Sequence, residues 1–246
     1  MIDYNSYRLP KLTLVKTYVM GIVYFFILGL IFYHNILYAT VASLGVVFYV
    51  KERKKQEIEA RKKALVLQFR EGVYALASSL SAGRAVEQAF VQSLNDLRII
   101  YDDETDIVKE WQLIVGKVGM NETIEEALID FSNRAHCDDI YNFVSVFIMA
   151  KKSGGDLVRI IRDTTKIIND KIEIQKEIDV LITQKKFEQQ ILSYIIPGMV
   201  LFFTLTSPGF LDPLYKSFSG RGIMTLALSL YIISGQIGKK IVRIEV

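Results

Sequence analysis

The residues best suited to chemistry lie in three short runs. Asp102-Asp103-Glu104-Thr105-Asp106 matches D-D-x-x-D. Carboxylates at that spacing can chelate magnesium and, through it, a diphosphate, because the ion prefers hard oxygen ligands. That would be the chemistry of a membrane-bound, magnesium-dependent prenyltransferase using Asp102, Asp103 and Asp106, with Asp138-Asp139 as a second acidic site. The plainer reading is an acidic loop whose charges favour a helix N-terminus, and an acid-rich body makes such a match easy. His136-Cys137-Asp138 supplies metal-ligand types. Adjacent side chains diverge on a helix, however, and no second Cys or His lies nearby in sequence, so a structural role is expected. Ser153-Gly154-Gly155-Asp156-Leu157 contains glycines but lacks the lysine of a phosphate-binding loop. No nucleophile elbow, zinc-protease helix or kinase signature occurs. The expectation is a chain that is not an enzyme and has no cofactor, no resident metal and no catalytic residues.

The elements that carry these runs divide by solvent. Residues 51–190 hold 22 Lys/Arg and 24 Asp/Glu, whereas the other 106 positions hold 8 and 3. The mean hydropathy of +0.27 is the average of two different populations. This split excludes a plain soluble enzyme, a disordered chain and a fibrous repeat. Four apolar stretches stand out, at residues 18–33, 36–50, 191–206 and 222–238. Each is slightly short of the ~20 residues that cross a hydrocarbon core, and flanking lysines such as Lys16 and Lys51 can snorkel. A signal peptide is the weaker reading of the first, since no cleavage site precedes the second. The spans hold no Asp or Glu, which argues against an ion pathway and hence against half of a small transporter.

Orientation follows the lysine and arginine bias. Arg8, Lys11 and Lys16 precede the first stretch, seven basic residues lie between Lys51 and Lys63, and Lys239, Lys240 and Arg243 follow the last. The His34-Asn35 turn has none, and the 207–221 loop has only Lys216 and Arg221. Both termini and residues 51–190 are therefore expected in the cytosol of a multi-pass cell-membrane protein. The lone Cys137 suits that reducing compartment. The basic run reads as a headgroup anchor rather than a nucleic-acid site, since no aromatic platform accompanies it. Beyond it, residues 64–190 carry 15 basic and 21 acidic side chains.

Helical periodicity fills this middle region. Val66, Phe69, Val73, Leu76 and Leu80 form one stripe, on a helix continuing from the second span to about Ala82 and stopped by Gly83. Helices follow near 85–100, 106–117 (Trp111 in the core), from Thr123 to about Arg134, and from Asp138 or Asp139 to Gly154-Gly155. Thr123-Ile124-Glu125-Glu126 is a capping-box pattern. Asp156 then caps a long helix with Leu157, Ile160, Ile161, Thr164, Ile167 and Ile168 inward and Ile174, Ile178 and Leu181 prolonging the stripe. No breaker occurs before Pro197-Gly198, inside the third span. The residues 85–90 and 123–128 echo each other weakly, as two amphipathic helix starts would. Ala75, Ala77, Ser78, Ser79, Ser81, Ala82 and Gly83 form a small-residue patch that allows close approach of another helix. The fold class is all-α: four transmembrane helices and a cytosolic six-helix bundle, divided as residues 1–50, 51–190 and 191–246.

Several blocks then carry a resemblance: Phe69-Arg70 through Leu80-Ser81-Ala82-Gly83-Arg84 with Glu87-Gln88-Ala89-Phe90; Gly119 with Glu125-Glu126-Ala127-Leu128; Ser153 to Leu157; and Ser207-Pro208-Gly209-Phe210 with Leu211-Asp212-Pro213-Leu214. In order and in placement among the spans, the chain resembles the type II secretion system F family, most closely its TadB-like branch, the inner-membrane platform proteins of tight-adherence (Flp) pilus assembly. The resemblance covers most of residues 15–246 and implies a single F-type module rather than two. It implies a platform that couples a cytosolic hexameric secretion ATPase to pilin subunits, with a related membrane platform subunit, a homo- or hetero-oligomeric state and no nucleic acid among its partners. Lys151-Lys152 departs from the Glu or Gln often found before the glycine pair. The candidate partner contacts are Gly83, Arg84, Gly154, Gly155 and Asp156, with Pro197 and Gly198 loosening the third span beside a pilin helix; caps and a kink are their plainer reading.

Overall fold

The structure, a computed structural model, describes residues 3–5, 11–44, 46–153, 157–207 and 209–242. Ten helices and no strand occur among them: α1 Lys11–Tyr33, α2 Ile36–Ser43, α3 Val46–Ser81, α4 Val86–Ile100, α5 Asp106–Gly119, α6 Ile124–Ala135, α7 Asp138–Ser153, α8 Leu157–Thr206, α9 Asp212–Lys216 and α10 Phe218–Val242. The chain is all-α. It divides into two units, Met1–Arg8 with Lys54–Ile174, and Leu9–Arg53 with Gln175–Val246. Helices α3 and α8 each contribute to both.

The first unit is built on the 3–4 spacing of its apolar residues. Phe69, Val73, Leu76 and Leu80 of α3 are buried, with Val66 partly so. The Phe69 ring meets Trp111 of α5, Phe131 of α6 and Phe143 of α7 at centroid distances of 5.7, 6.0 and 5.2 Å. Offset and edge-on aromatic pairs of this kind add about 0.5–1.5 kcal/mol each beyond area burial. Trp111 donates its indole N–H to Ser93 Oγ at 3.0 Å, so the ring is buried without an orphaned donor. Gly72 makes room for it: a Cβ there would sit 2.8 Å from Trp111 Cζ2. The inner stripe of α8 is shifted from the expected one. Ile161, Thr165, Ile168 and Ile172 are buried, whereas Ile167, Ile174 and Leu181 are exposed. An apolar residue every third or fourth position suits two neighbouring faces, and packing selected one of them.

In the second unit α1 and α10 pair through Leu28, Phe32 and Met224, and Tyr33 donates to Thr225 Oγ1 at 2.9 Å. A Cβ on Gly21 would lie 2.5 Å from Val46 Cγ2, so α1 and the start of α3 approach closely. Among the described residues two helices are long and apolar enough to cross a membrane: residues Leu14–Tyr33 in α1, with mean hydropathy 2.1, and an apolar stretch of α8, with 1.3. The expected second span, residues 36–50, is not one helix. It is divided between α2, which ends at Ser43, and α3, which begins at Val46. Gly45 lies between them in sequence, and glycine is the poorest helix former after proline. At 25 residues α10 is long enough, but its Gly, Ser and Gln content dilutes the apolarity that would carry it across on composition alone.

Candidate functional site

One end of the first unit gathers several sequence-predicted positions. Thr123 caps α6 as its spacing requires. Its Oγ1 accepts from Glu126 N at 3.3 Å, and Glu126 Oε2 accepts from Thr123 N at 3.2 Å. These bonds hold the Glu126 carboxyl below its ordinary value. One position earlier, Glu125 Oε2 accepts from Lys151 Nζ at 3.0 Å, and Glu87 Oε1 of α4 lies 3.9 Å from the same ammonium. Burial pushes the Glu125 carboxyl up, but hydrogen bonds from Lys151 and from its own backbone N–H, with the Lys151 and Lys152 charges, outweigh it, and the net direction is down. Glu87 and Glu125 occupy equivalent places in the two echoed segments. They join the starts of α4 and α6 to the last turn of α7. The positive charge of Lys151 is therefore matched from within the chain.

The Gly83-Arg84 turn beside Glu87 has a defined backbone role. Gly83 adopts φ +82°, Gly83 N donates to Leu80 O at 2.9 Å and Arg84 N to Ser79 O at 3.4 Å. These are the 5→2 and 6→1 bonds of a Schellman cap, and the left-handed position selects glycine. Arg84 Nη1 donates to Gln92 Oε1 at 2.7 Å on α4. Gly154, Gly155 and Asp156 lie outside the described residues.

Three of the four acidic side chains of the run are spent on separate cations. Asp106 receives Arg61 Nε and Nη2, both at 2.7 Å. Asp103 Oδ1 accepts from Arg98 Nε at 2.9 Å and from Gln112 Nε2 at 3.3 Å, and Glu104 pairs with Lys109 at 2.6 Å. Among the described residues no three His, Cys, Asp or Glu side chains are grouped to hold a metal ion. His136 takes a left-handed conformation, φ 49°, at the end of α6 and lies 3.3 Å from Asp3. Cys137 donates to Ala135 O at 3.3 Å. Burial pushes its thiol up to about 11, against a smaller opposing effect of Lys62, so the nucleophilic thiolate is scarce near neutral pH.

Sequence reasoning missed a buried polar cluster. Glu110 is fully buried, and its two oxygens accept from Arg134 Nη1 and Nη2 at 2.7 and 2.6 Å. Tyr4, also fully buried, donates its hydroxyl to Glu110 Oε1 at 3.0 Å and its backbone N–H to Arg134 O at 3.0 Å. Burial and then the Glu110 charge push the Tyr4 hydroxyl's pKa far up. One signal existed: Glu110 lies on the apolar face set by Ile107, Trp111 and Ile114. None existed for Tyr4, which belongs to the N-terminal arm.

In the second unit Pro197 sits inside unbroken helix, with Gly198 exposed beside it. Proline has no N–H, so the carbonyl four residues back, Ser193 O, loses its helical donor. Tyr231 of α10 supplies the replacement: its hydroxyl donates to Ser193 O at 2.9 Å, and Tyr24 of α1 lies 3.3 Å from that hydroxyl. The freed carbonyl before Pro197 is thus tied to α10 and, through Tyr24, to α1.

Compared with known proteins, the chain matches no protein-family model, no curated protein and no solved structure.

Proposed function

We propose that this chain is an inner-membrane platform subunit of a pilus-assembly machine related to type II secretion, coupling a cytosolic ATPase to pilin subunits that leave the membrane. The observation that carries the reading is the run of α3 and α8. They extend without a break for 36 and 50 residues, or roughly 54 and 75 Å at 1.5 Å per residue, and each spans the change from charged, aromatic-cored helix bundle to apolar segment. An unbroken helix transmits displacement or torque where a flexible linker would absorb it. The resemblance described above supplies the identity of the machine.

The finer topology belongs to the same reading. Residues Met1–Arg8 and Lys54–Ile174 share one unit, and Tyr4 is buried in it. A chain that leaves that unit through α1 therefore returns to it by residue 54. This supports a second crossing made by α2 and the first turns of α3, with α10 as the fourth. Both termini and the first unit then face the cytosol. On this view the end bearing Glu87, Glu125 and Lys151, with the Gly83-Arg84 turn, and the 154–156 segment are ATPase-facing. Pro197-Gly198 adjoins pilin.

The test is co-purification of the full chain with a secretion ATPase from the same cells, together with deletion of the gene for the chain. The reading requires a stable complex and loss of surface pili. A chain that binds no ATPase, or whose loss leaves pili intact, overturns it.

A further inference from the structure

The groove between α3 and α8 has a composition that the cap and kink positions do not account for. It encloses about 440 Å³ and runs along two turns of each helix. Its α3 wall is Tyr74, Ala77, Ser78 and Ser81, and its α8 wall is Arg162, Thr165, Lys166 and Asn169. Positions 74, 78 and 81, like 162, 166 and 169, repeat at 3–4 residues, so each wall is one helix face. Arg162 Nη2 donates to Ser81 Oγ at 3.0 Å, which pairs the end of α3 with the start of α8.

Two features give the groove a chemical preference. Its depth comes from small side chains opposite long ones: three of the four α3 positions are Ala or Ser, so a guest backbone can approach closely there. Its charge comes from Arg162 and Lys166, one turn apart on one wall and both exposed, with no acidic side chain among the described lining residues. A first unit whose body beyond residue 63 is otherwise acidic thus presents a local positive slot. Tyr74, 65% exposed at the far end, offers an aromatic face.

We propose that this groove docks an acidic helix of a partner protein, one presenting two carboxylates four residues apart toward Arg162 and Lys166 and small residues toward Ser78 and Ser81. The i, i+4 spacing of the cations sets the same spacing on the guest, because side chains four apart on a helix lie on one face. Under the platform reading, on which only the identity of the partner rests, the guest helix belongs to the ATPase.

The experiment uses the full chain in nanodiscs. The probe is a fluorescent alanine-based helical peptide with Glu pairs at i, i+4, followed by anisotropy at low salt. Binding is expected to weaken roughly tenfold when both cations are reversed (Arg162→Glu with Lys166→Glu), and as much when the peptide's Glu residues become Gln. Exposed Lys54→Glu with Lys55→Glu serves as the charge-matched control and should leave it unchanged. Unaltered binding in the 162/166 variant overturns the proposal. So does equal loss in the control, competition by millimolar inorganic phosphate alone, or a change in the chain's own oligomeric state on reversal. The ATPase co-purification is read separately. A complex that forms but ignores the 162/166 reversal sinks the groove and leaves the platform. Peptide binding without an ATPase complex does the opposite.

Discussion

Arg134→Met is the sharpest test of how the first unit is held together. It removes both donors from a carboxylate that is completely buried, leaving Glu110 with only the Tyr4 hydroxyl at 3.0 Å. Breaking a buried ion pair from one side costs about 3–5 kcal/mol, because the remaining charge stays desolvated. For a unit of this size that lowers the unfolding midpoint by roughly 10–15 °C. Trp111, the single tryptophan, is 1% exposed in the same core, so its fluorescence reports the melting of this unit alone. The companion variant Glu110→Met with Arg134→Met removes both charges and should recover most of the loss. The residual deficit of about 1–2 kcal/mol comes from the orphaned Tyr4 hydroxyl. Tyr4→Phe added to that pair should erase the deficit. If Arg134→Met costs under about 1 kcal/mol, or the double variant is no more stable than the single, the cluster is not a buried, mutually dependent pair.

Three further outcomes follow from the same geometry. Gly72→Ala should destabilise the first unit by about 1–3 kcal/mol through the Cβ clash with Trp111, and near-ultraviolet circular dichroism should register the displaced indole. Tyr231→Phe should cost about 1–2 kcal/mol in detergent unfolding by orphaning Ser193 O, and much less on a Pro197→Ala background, where the restored N–H takes its place. Acid should weaken the first unit. Glu125, and Asp130 beside Lys117 and Arg134, have carboxyls lowered from 4.5 and 3.8, so their stabilisation is complete above those values and is lost as pH falls through the lower folded-state ones. A Trp111 melting temperature that stays flat from pH 6 to pH 3 would contradict this.

The boundaries of α4 to α7 were legible because local chemistry decides them. Gly83 demands a left-handed cap, Thr123 and Glu126 satisfy each other across one turn, and Asp138 opens a helix. Trp111 was expected in the core from periodicity alone, and it is buried. The register of α8 was not legible, because its run of isoleucines suits two faces and only packing chooses. The break near Leu44 was hidden by uniformly apolar neighbours, whose hydropathy says nothing about helix continuity. Long-range pairings left no local mark: Lys151 with Glu87 and Glu125, Tyr4 with Glu110, Tyr231 with Ser193. A polar residue on an apolar face, such as Glu110, signals burial but not its partner. The groove's Ser and Ala wall was visible as a small-residue patch. Its positive wall comes from a helix some 80 residues later, and only the fold brings them together.

The central claim is that a helical body on the cytosolic side is carried by membrane-crossing helices whose short connections face outward. Cysteine mapping on a Cys137→Ala background tests it directly, using Glu104→Cys in the first unit and Phe218→Cys at the start of α10, sites that are 91% and 94% exposed. With a membrane-impermeant maleimide on intact cells, Phe218→Cys should label at once and Glu104→Cys only after permeabilisation. Labelling of Glu104→Cys in intact cells, or protection of Phe218→Cys until lysis, would contradict the account.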